Sequence, residues 1–343
     1  MNRQQGFTLL ELVLSIFLLG VLTVVIAPSL SLLNTAQSQE YRSRTMLSLE
    51  RAAGAMMEHV RLNSAQGRLP APYTGDDFFN TLIDPTPDVG SESEQLMMLF
   101  RQAGLAANEI NTDGYASQRI RKYQMLSSMI QEVPFAMQTG DLVELRYDFG
   151  VIYQTTCPLA DTGCNTNARY GDASTPVLTT ANYNTWEPAG DDFGAVFIST
   201  LPIQKARMAE TYRRIQKIRS ALANWNNASR LQAAANSTDN FYPDPFPTGA
   251  NNLAGANEAT NQGCRDGWYD LSETTNNVLP WLGLSRAEYG VTAWGAIVEY
   301  CRDYVPATSS TEPVFYAALR LHRAVSLGLD PAGSDPFNIV ITL

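Results

Sequence analysis

The chain has 343 residues, of which 45% are hydrophobic, and a formal net charge of -10 at pH 7. This length is enough for two domains of ordinary size, and the apolar fraction excludes a chain that is disordered throughout. The acidic balance disfavours general attraction to nucleic acid or to an anionic membrane surface. Binding of either kind would need a local basic patch.

A long apolar segment begins near the N-terminus, directly after a carboxylate. Residues 12–33 carry no charge, and as a helix they would span roughly 33 Å, about the thickness of a bilayer core. Glu11 stands at the head of this run, where a charge is unfavourable unless it is paired. A cleaved secretory signal is the alternative, but its apolar core would be shorter and would be followed by a cleavage site.

The helical pattern continues beyond the apolar run. One stripe of a helix is formed by Leu49, Ala52, Ala53, Met56, Met57 and Val60. This spacing predicts that the same helix leaves the bilayer and ends near Gln66, with Gly67 as its C-cap and Pro70 preventing continuation. A helix from Thr8 to Gln66 would be about 90 Å long.

The first residues carry a resemblance to a known family. A short leader with Arg3 precedes Gly6-Phe7-Thr8-Leu9-Leu10-Glu11, and Pro28 lies in the apolar run. This arrangement resembles the N-terminal signature of type IV prepilins and pseudopilins, the class III signal peptide. In that family a membrane aspartyl peptidase cuts after the glycine and methylates the new N-terminal phenylalanine. The resemblance therefore implies cleavage between Gly6 and Phe7, and N-methylation of Phe7.

The resemblance also gives Glu11 a role in subunit assembly. Once the leader is removed, Phe7 carries a positive α-amino group, and a carboxylate four residues on can neutralise the terminus of a neighbouring subunit. A buried pair of this kind sets register more than it adds stability. The alternative is a glutamate that reaches the lipid headgroups. The implied partners are the prepilin peptidase, other pilins or pseudopilins of the filament, the inner-membrane assembly platform and membrane lipid.

Four cysteines follow the apolar segment, an even number that fits two disulfides in an oxidising compartment. We favour Cys157–Cys164, which closes the short loop CPLADTGC, and Cys264–Cys301, which closes a longer loop. Other pairings remain open, as do free thiols. A zinc site is disfavoured because the spacing is not CxxC and the chain has only 2 histidines.

The middle of the chain mixes helical and strand patterns. The sequence GRLPAPYTGDDFFN follows the long helix, and some large prepilin-like proteins carry a similar proline exit followed by acidic residues. Residues 94–131 predict a helical stretch that buries one side. Residues 141–149 and 151–153 predict one or two antiparallel strands, and residues 194–199 predict another. The apolar positions of the helical stretch are Leu96, Met97, Phe100, Leu105, Ile120, Tyr123, Leu126 and Ile130.

A second helix is predicted between residues 208 and 225. Its apolar stripe consists of Met208, Tyr212, Ile215, Ile218, Leu222 and Trp225. Its other face is the only strongly basic stretch, with Lys205, Arg207, Arg213, Arg214, Lys217 and Arg219 against Glu210. We favour a basic face that packs against acidic neighbours over a nucleic-acid site, because no aromatic stacking platform is interleaved with these charges.

A second module follows this helix. The proline-rich stretch 240–247 echoes the exit at residues 69–72, which predicts a degenerate internal repeat of a pilin-like unit without its membrane anchor. Trp281 and Trp294 are predicted core residues, and Gly295 would permit a bend before a strand. Their phrases resemble a Leu-Pro-Trp and Trp-Gly pairing in the proline-exit prepilins, although Thr292-Ala293 replaces the acidic residue expected there. Residues 337–343 predict a strand paired inside the sheet.

Other chemistry is weakly represented. The sequence has no nucleophile elbow, phosphate loop, zinc helix or dinucleotide fingerprint. His59 is predicted on the long helix and His322 on a C-terminal helix, without metal-spaced partners. Acidic pairs could bind calcium, with Asp191-Asp192 the leading candidate because it adjoins a strand, but the EF-hand spacing is absent. We therefore predict neither a catalytic site nor a cofactor.

These patterns predict an α+β fold, in which a long N-terminal helix packs on an antiparallel sheet and a second, duplicated α+β module follows. The predicted parts are a leader (1–6), a transmembrane half-helix (7–33), a periplasmic pilin-like domain (34–200) and a second module (201–343). The resemblance implies a structural subunit that waits in the inner membrane, with its C-terminal domain in the periplasm, and then enters a pilus or pseudopilus.

The leading hypothesis is a minor type IV pilin-like protein. Its bulk is hard to accommodate at every turn of a fibre, which favours a tip or rare position, where it primes assembly or contacts a surface. The first alternative is a large pseudopilin that forms the tip in type II secretion. In that family of tip pseudopilins, however, the glutamate at the position of Glu11 is usually missing. The second alternative is a periplasmic binding protein or hydrolase that uses the helix only as an anchor.

Overall fold

The computed structural model describes residues 9–62, 67–75, 80–115, 118–135, 142–158, 176–188, 193–234, 237–245, 262–265, 267–275, 277–306, 315–331 and 338–343. Helix α1 (Leu9–Leu62) is continuous over 54 residues, which confirms the long helix predicted from the sequence. Helix α2 (Glu92–Gln102) follows, and its N-cap Ser91 accepts a hydrogen bond from the backbone of Glu94.

The first sheet contains β1 (Arg119–Pro134), β2 (Leu142–Pro158) and β3 (Phe193–Ser199). The strands are antiparallel in the order β1-β2-β3. The buried stripe of α1 packs on this sheet, where Leu49 and Met56 share a core with Tyr123, Ile152 and Ile198. The predicted stripe is thereby confirmed, because apolar residues at helical spacing face the sheet.

Helix α3 (Leu201–Gln232) begins directly after β3 and carries the second predicted stripe. A second antiparallel sheet has the strand order β4-β5-β6-β7. Its strands are β4 (Tyr269–Asp270), β5 (Glu299–Tyr304), β6 (Tyr316–His322) and β7 (Asn338–Thr342). Between β4 and β5 lie two one-turn helices, α4 (Val278–Trp281) and α5 (Arg286–Tyr289). Ile215, Ile218 and Leu222 of α3 are buried against this sheet.

The two sheets meet at one end of the long hairpin β1-β2. Val143 and Leu145 of β2 are fully buried in the same core as α3 and the second sheet. Two backbone contacts support this junction: Arg146 N–H donates to Ser326 Oγ at 2.7 Å, and Glu144 N–H donates to the carbonyl of Arg323 at 3.1 Å. The first sheet therefore contributes side chains to both cores.

The architecture is an α+β combination of an N-terminal helix and antiparallel sheets, consistent with the pilin-like fold that the sequence predicts. Each sheet has one long helix against it. The boundaries at residues 34, 200 and 201, and the origin of the second unit by duplication, stay predictions.

Several local predictions are wrong. Residues 94–131 are not one helical stretch, because α2 ends at Gln102 and residues from Arg119 onward form β1. His322 ends strand β6 rather than lying on a helix. Trp281 is 44% exposed, and Trp225, the last residue of the second predicted stripe, is 36% exposed, whereas Trp294 is buried as expected. The last strand, β7, pairs with β6 but lies at the edge of its sheet.

Candidate functional site

The residues that carry the prepilin resemblance lie at the start of the chain. Gly6 and Phe7 lie outside the described residues. Glu11 is the third residue of the described α1, but its side chain lies outside the described part. Among the side chains that the structure describes, no helix is long and apolar enough to cross a membrane. The predicted membrane-spanning segment 7–33 lies outside that part.

The next stretch of α1 is largely exposed before the helix joins the folded body. Residues 35–44 are exposed except for Tyr41, which is half-buried, and continuous packing begins at Thr45. The helix therefore presents an accessible stretch between the predicted membrane segment and the first sheet.

Tyr41 holds α1 at the point where it meets the body. Its hydroxyl donates to Asp113 Oδ2 at 2.9 Å. Its ring lies 5.0 Å from the ring of Tyr115, and the guanidinium carbon of Arg119 lies 5.3 Å from its centroid. Partial burial and the Asp113 carboxylate raise the pKa of Tyr41, so the hydroxyl stays protonated and can keep donating.

The buried side chain of Arg121 contacts α1 about two turns after Tyr41, at Ser48. Arg121 of β1 donates to Ser48 Oγ of α1 at 2.6 Å and to Gln154 Oε1 of β2 at 3.0 Å. It also donates to the carbonyl of Glu109. Burial lowers the pKa of Arg121 to about 10, so it stays charged near neutrality. The network joins α1 to two strands through one side chain.

Asp148 ties the exit from α1 to the sheet. Its carboxylate accepts from the backbone N–H groups of Leu69 and Ser128, both at 2.9 Å. Arg68 Nε lies 3.5 Å from the same carboxylate. The proline exit predicted at residues 69–72 is thus held by a buried charge. The alternating strand pattern predicted β2, but it gave no sign of this network.

The basic face of α3 is partly used inside the protein. Glu210 accepts from Arg213 at 2.8 Å and from Arg214 at 2.9 Å, and these bonds lower the pKa of Glu210 to about 2. Arg213 also pairs with Glu288 of α5 at 3.0 Å. Arg214 reaches the carbonyl of Val291 at 3.0 Å. These contacts agree with the interpretation of a basic face that packs against acidic neighbours.

Cys264 and Cys301 form a disulfide, the pairing that we favoured for the longer loop. The bond joins the segment before β4 to β5. Cys157 lies at the end of β2, with its side chain outside the described part, and Cys164 lies outside the described residues. The pair Cys157–Cys164 stays a prediction.

The predicted calcium candidates Asp191 and Asp192 also lie outside the described residues. In the described ranges, no group of three or more His, Cys, Asp or Glu side chains is placed to hold a metal ion. Both histidines have local roles. His59 Nε2 lies 3.1 Å from Glu92 Oε1, and His322 Nδ1 accepts from the backbone of Ala324 at 3.0 Å.

Comparison with known proteins adds one finding. Residues 1–27 match the family model described as the prokaryotic N-terminal methylation motif. Neither curated proteins nor solved structures give a match. The matched residues contain Gly6, Phe7 and Glu11 together with most of the apolar run. The chain therefore carries the N-terminal signal of type IV prepilins, which points to a structural subunit of the type IV pilin or pseudopilin kind.

Proposed function

We propose that the protein is a minor type IV pilin-like subunit that enters a pilus or pseudopilus at its tip, where it primes assembly or contacts a surface. The observation that carries this proposal is the N-terminal methylation motif at residues 1–27. The prepilin peptidase cuts between Gly6 and Phe7 and methylates Phe7. The subunit then leaves the inner membrane with the apolar half of α1 inside the filament.

The tip position is supported by the size of the body that α1 carries. A second sheet and the 32-residue helix α3 are added to the helix-and-sheet unit. A helical filament repeats every subunit contact along its length, so an added unit has to be accommodated at each turn. A subunit at the end of the fibre has neighbours on one side only, which leaves room for the second unit.

Glu11 would act in assembly through its charge. A carboxylate in a low-dielectric environment is costly without a partner. The α-amino group of a neighbouring Phe7, which is created only by cleavage, supplies that partner. Maturation and assembly are therefore coupled, because the uncut chain does not present the amine.

The cleavage step is tested with Gly6→Val in the full-length chain, expressed beside its filament genes. We expect the variant to keep its six-residue leader and to be missing from sheared extracellular filaments. Gln4→Val, which introduces the same side chain within the leader, should leave processing normal. Normal maturation and filament entry of Gly6→Val would refute the proposal.

The assembly step is tested with Glu11→Gln, which keeps the shape but removes the charge. The variant should be cut and methylated normally but should be depleted from filaments. Glu50→Gln, an exposed α1 position in the folded body, is the matched control.

Mass spectrometry of the mature protein should show a chain that starts at methylated Phe7. Retention of the wild type in the inner membrane alone would favour an anchored enzyme or binding protein.

A further inference from the structure

Two exposed tryptophans line one cavity on the second unit. Trp225 of α3 is 36% exposed, and Trp281 of α4 is 44% exposed. The cavity has a volume of about 370 Å³, and Lys217, Ser220 and Asn224 of α3 also line it. Ligand sites in proteins usually fall between about 300 and 1,000 Å³ and combine aromatic walls with a few polar groups. This cavity has both properties.

Trp281 is held in its exposed position by a rigid turn. The N-cap Asn277 accepts from the backbone of Leu279 at 2.9 Å. After the helix, Gly283 adopts a left-handed φ of 71°, and the backbone of Leu284 donates to the carbonyl of Leu279 at 2.9 Å. Leu279 is buried in the core below. The backbone that carries the indole is thus fixed before a ligand binds.

The other wall of the cavity is one face of α3. Lys217, Ser220 and Asn224 are spaced three and four residues apart, so they lie on one side of α3 over two turns, and Trp225 lines the cavity beside them. Ile218 and Leu222, on the adjoining face, are buried in the core. This packing fixes the helix, and with it the spacing between the polar groups and the indole of Trp225.

We propose that this cavity binds acidic pyranose residues of a polysaccharide. The face of an indole is electron-rich and attracts the weakly positive C–H groups on the flat side of a sugar ring. Asn224 offers an amide donor and acceptor, and Ser220, whose hydroxyl donates to the carbonyl of Gln216 at 2.9 Å, offers an acceptor oxygen. These groups match the hydroxyl groups at the edge of the ring. The two tryptophans and these polar groups together fit a ligand with one apolar face and a polar rim.

The charge of the lining indicates an anionic sugar. Lys217 is the one ionisable residue among the described residues that line the cavity. Glu210, about two turns before Lys217 on α3, pairs with Arg213 and Arg214. None of the described residues that line the cavity is acidic, so a sugar carboxylate would meet the positive charge of Lys217 there. Since the whole chain is acidic, this local charge matters for selectivity.

The inference goes beyond the proposed assembly role and can be measured on the unassembled protein. Full-length protein in lipid nanodiscs avoids detergents with sugar headgroups. It is titrated with hexagalacturonate and with neutral maltohexaose, and binding is followed by calorimetry and tryptophan fluorescence. We expect hexagalacturonate to bind and maltohexaose to bind about tenfold more weakly or not at all.

Variants locate the site. Trp281→Ala and Trp225→Ala should each weaken binding of hexagalacturonate about tenfold or more, and Trp281→Phe should restore part of it. Lys217→Met should remove the preference for the acidic sugar. Leu231→Ala, an 88% exposed position on the same helix that does not line the cavity, is the matched control.

Three results would overturn the inference: no binding of hexagalacturonate, equal binding of both sugars, or binding that the tryptophan variants do not change. If Trp281→Ala instead lowers filament entry without a change in sugar binding, the cavity is a protein contact. A failed sugar test leaves the Gly6→Val result unaffected, so the two proposals fail separately.

Discussion

Single buried charges set the geometry of this protein at the residue scale. Asp148 is 1% exposed and accepts two backbone hydrogen bonds, from segments that are far apart in sequence. Charge-assisted bonds of this kind are stronger than neutral ones, and their loss leaves buried donors unpaired. The position of the chain after α1 therefore depends on one carboxylate.

Asp148→Asn should lower the free energy of unfolding by about 2–3 kcal/mol, because an amide NH₂ would face a backbone donor. The measurement is urea unfolding of the full-length chain in a zwitterionic detergent. Asp88→Asn, at an exposed position, should change the stability little. Equal effects of the two substitutions would show that the Asp148 contacts do not stabilise the fold.

The buried Lys122 leads to a second prediction at the residue scale, which concerns the dependence of stability on pH. Burial lowers the pKa of Lys122 from 10.5 to about 8. Between these values the unfolded chain holds the proton and the folded chain does not, so the free energy of unfolding rises as the pH increases from about 8 to 10.5. The rise should be roughly 3 kcal/mol.

Lys122→Met should remove this rise, because methionine does not titrate. The test compares the unfolding free energies of the variant and the wild type at a series of pH values. The difference between the two curves isolates Lys122, since the tyrosines titrate in both proteins. Curves that stay parallel across this range would contradict the expected pKa.

At the element scale, the sequence predicts those helices and strands that have one buried face and one exposed face. The stripes of α1 and α3 predicted both helices, because one face of each is buried and the other is exposed. In β6, by contrast, residues 317–321 are all buried. Leu319 and Leu321 face the core with α3, while Ala318 packs beside Trp268 and the disulfide on the other side. A strand covered on both faces shows no alternation of apolar and polar residues, which is why the sequence pattern here predicts a helix.

The helix predicted over residues 94–131 fails in β1 for a related reason. Residues 120–124 are buried without interruption, and polar members such as Arg121 are buried only because partners distant in sequence satisfy them. The pairing with β2 then shifts register between Leu126 and Met129, where Ser128 has a positive φ of 59°. A local pattern does not contain these partners or this irregularity.

The attachment of α1 gives an element-scale prediction. Tyr41→Ala removes the bond to Asp113 and the ring contacts, so hydrogen exchange over residues 35–44 should accelerate and the free energy of unfolding should fall by about 1–2 kcal/mol. Tyr41→Phe keeps the ring and should cost about 1 kcal/mol or less. The exposed Gln39→Ala is the control. Unchanged hydrogen exchange in Tyr41→Ala would show that the Tyr41 contacts do not order residues 35–44.

At the scale of the whole molecule, the two units are joined by shared side chains as well as by sequence. Gln204, which is fully buried, accepts from Trp294 Nε1 at 2.7 Å and donates to the carbonyl of Gly67 at 3.3 Å. Leu145 of β2 lies in the core with the second sheet. The sequence predicted two modules but gave no sign of this junction, because it depends on where the long hairpin ends.

Leu145→Ala should therefore destabilise both units together. We expect a loss of about 3 kcal/mol in the free energy of unfolding, with hydrogen exchange accelerated on both sheets. The exposed Leu231→Ala should cost less than about 0.5 kcal/mol. Faster exchange confined to one sheet would show that the units unfold independently.

The long hairpin has a mechanical consequence. At the proposed tip position, tension on the filament would pull on α1, and a bound surface would pull on the second unit. Strand β2 contacts both α1 and α3, and its ladder with β1 extends from Arg119 to Pro134. The load thus passes through many hydrogen bonds and a shared core instead of a single connecting peptide. Under the proposed function, the molecule would therefore join the filament to the bound surface as one stiff body.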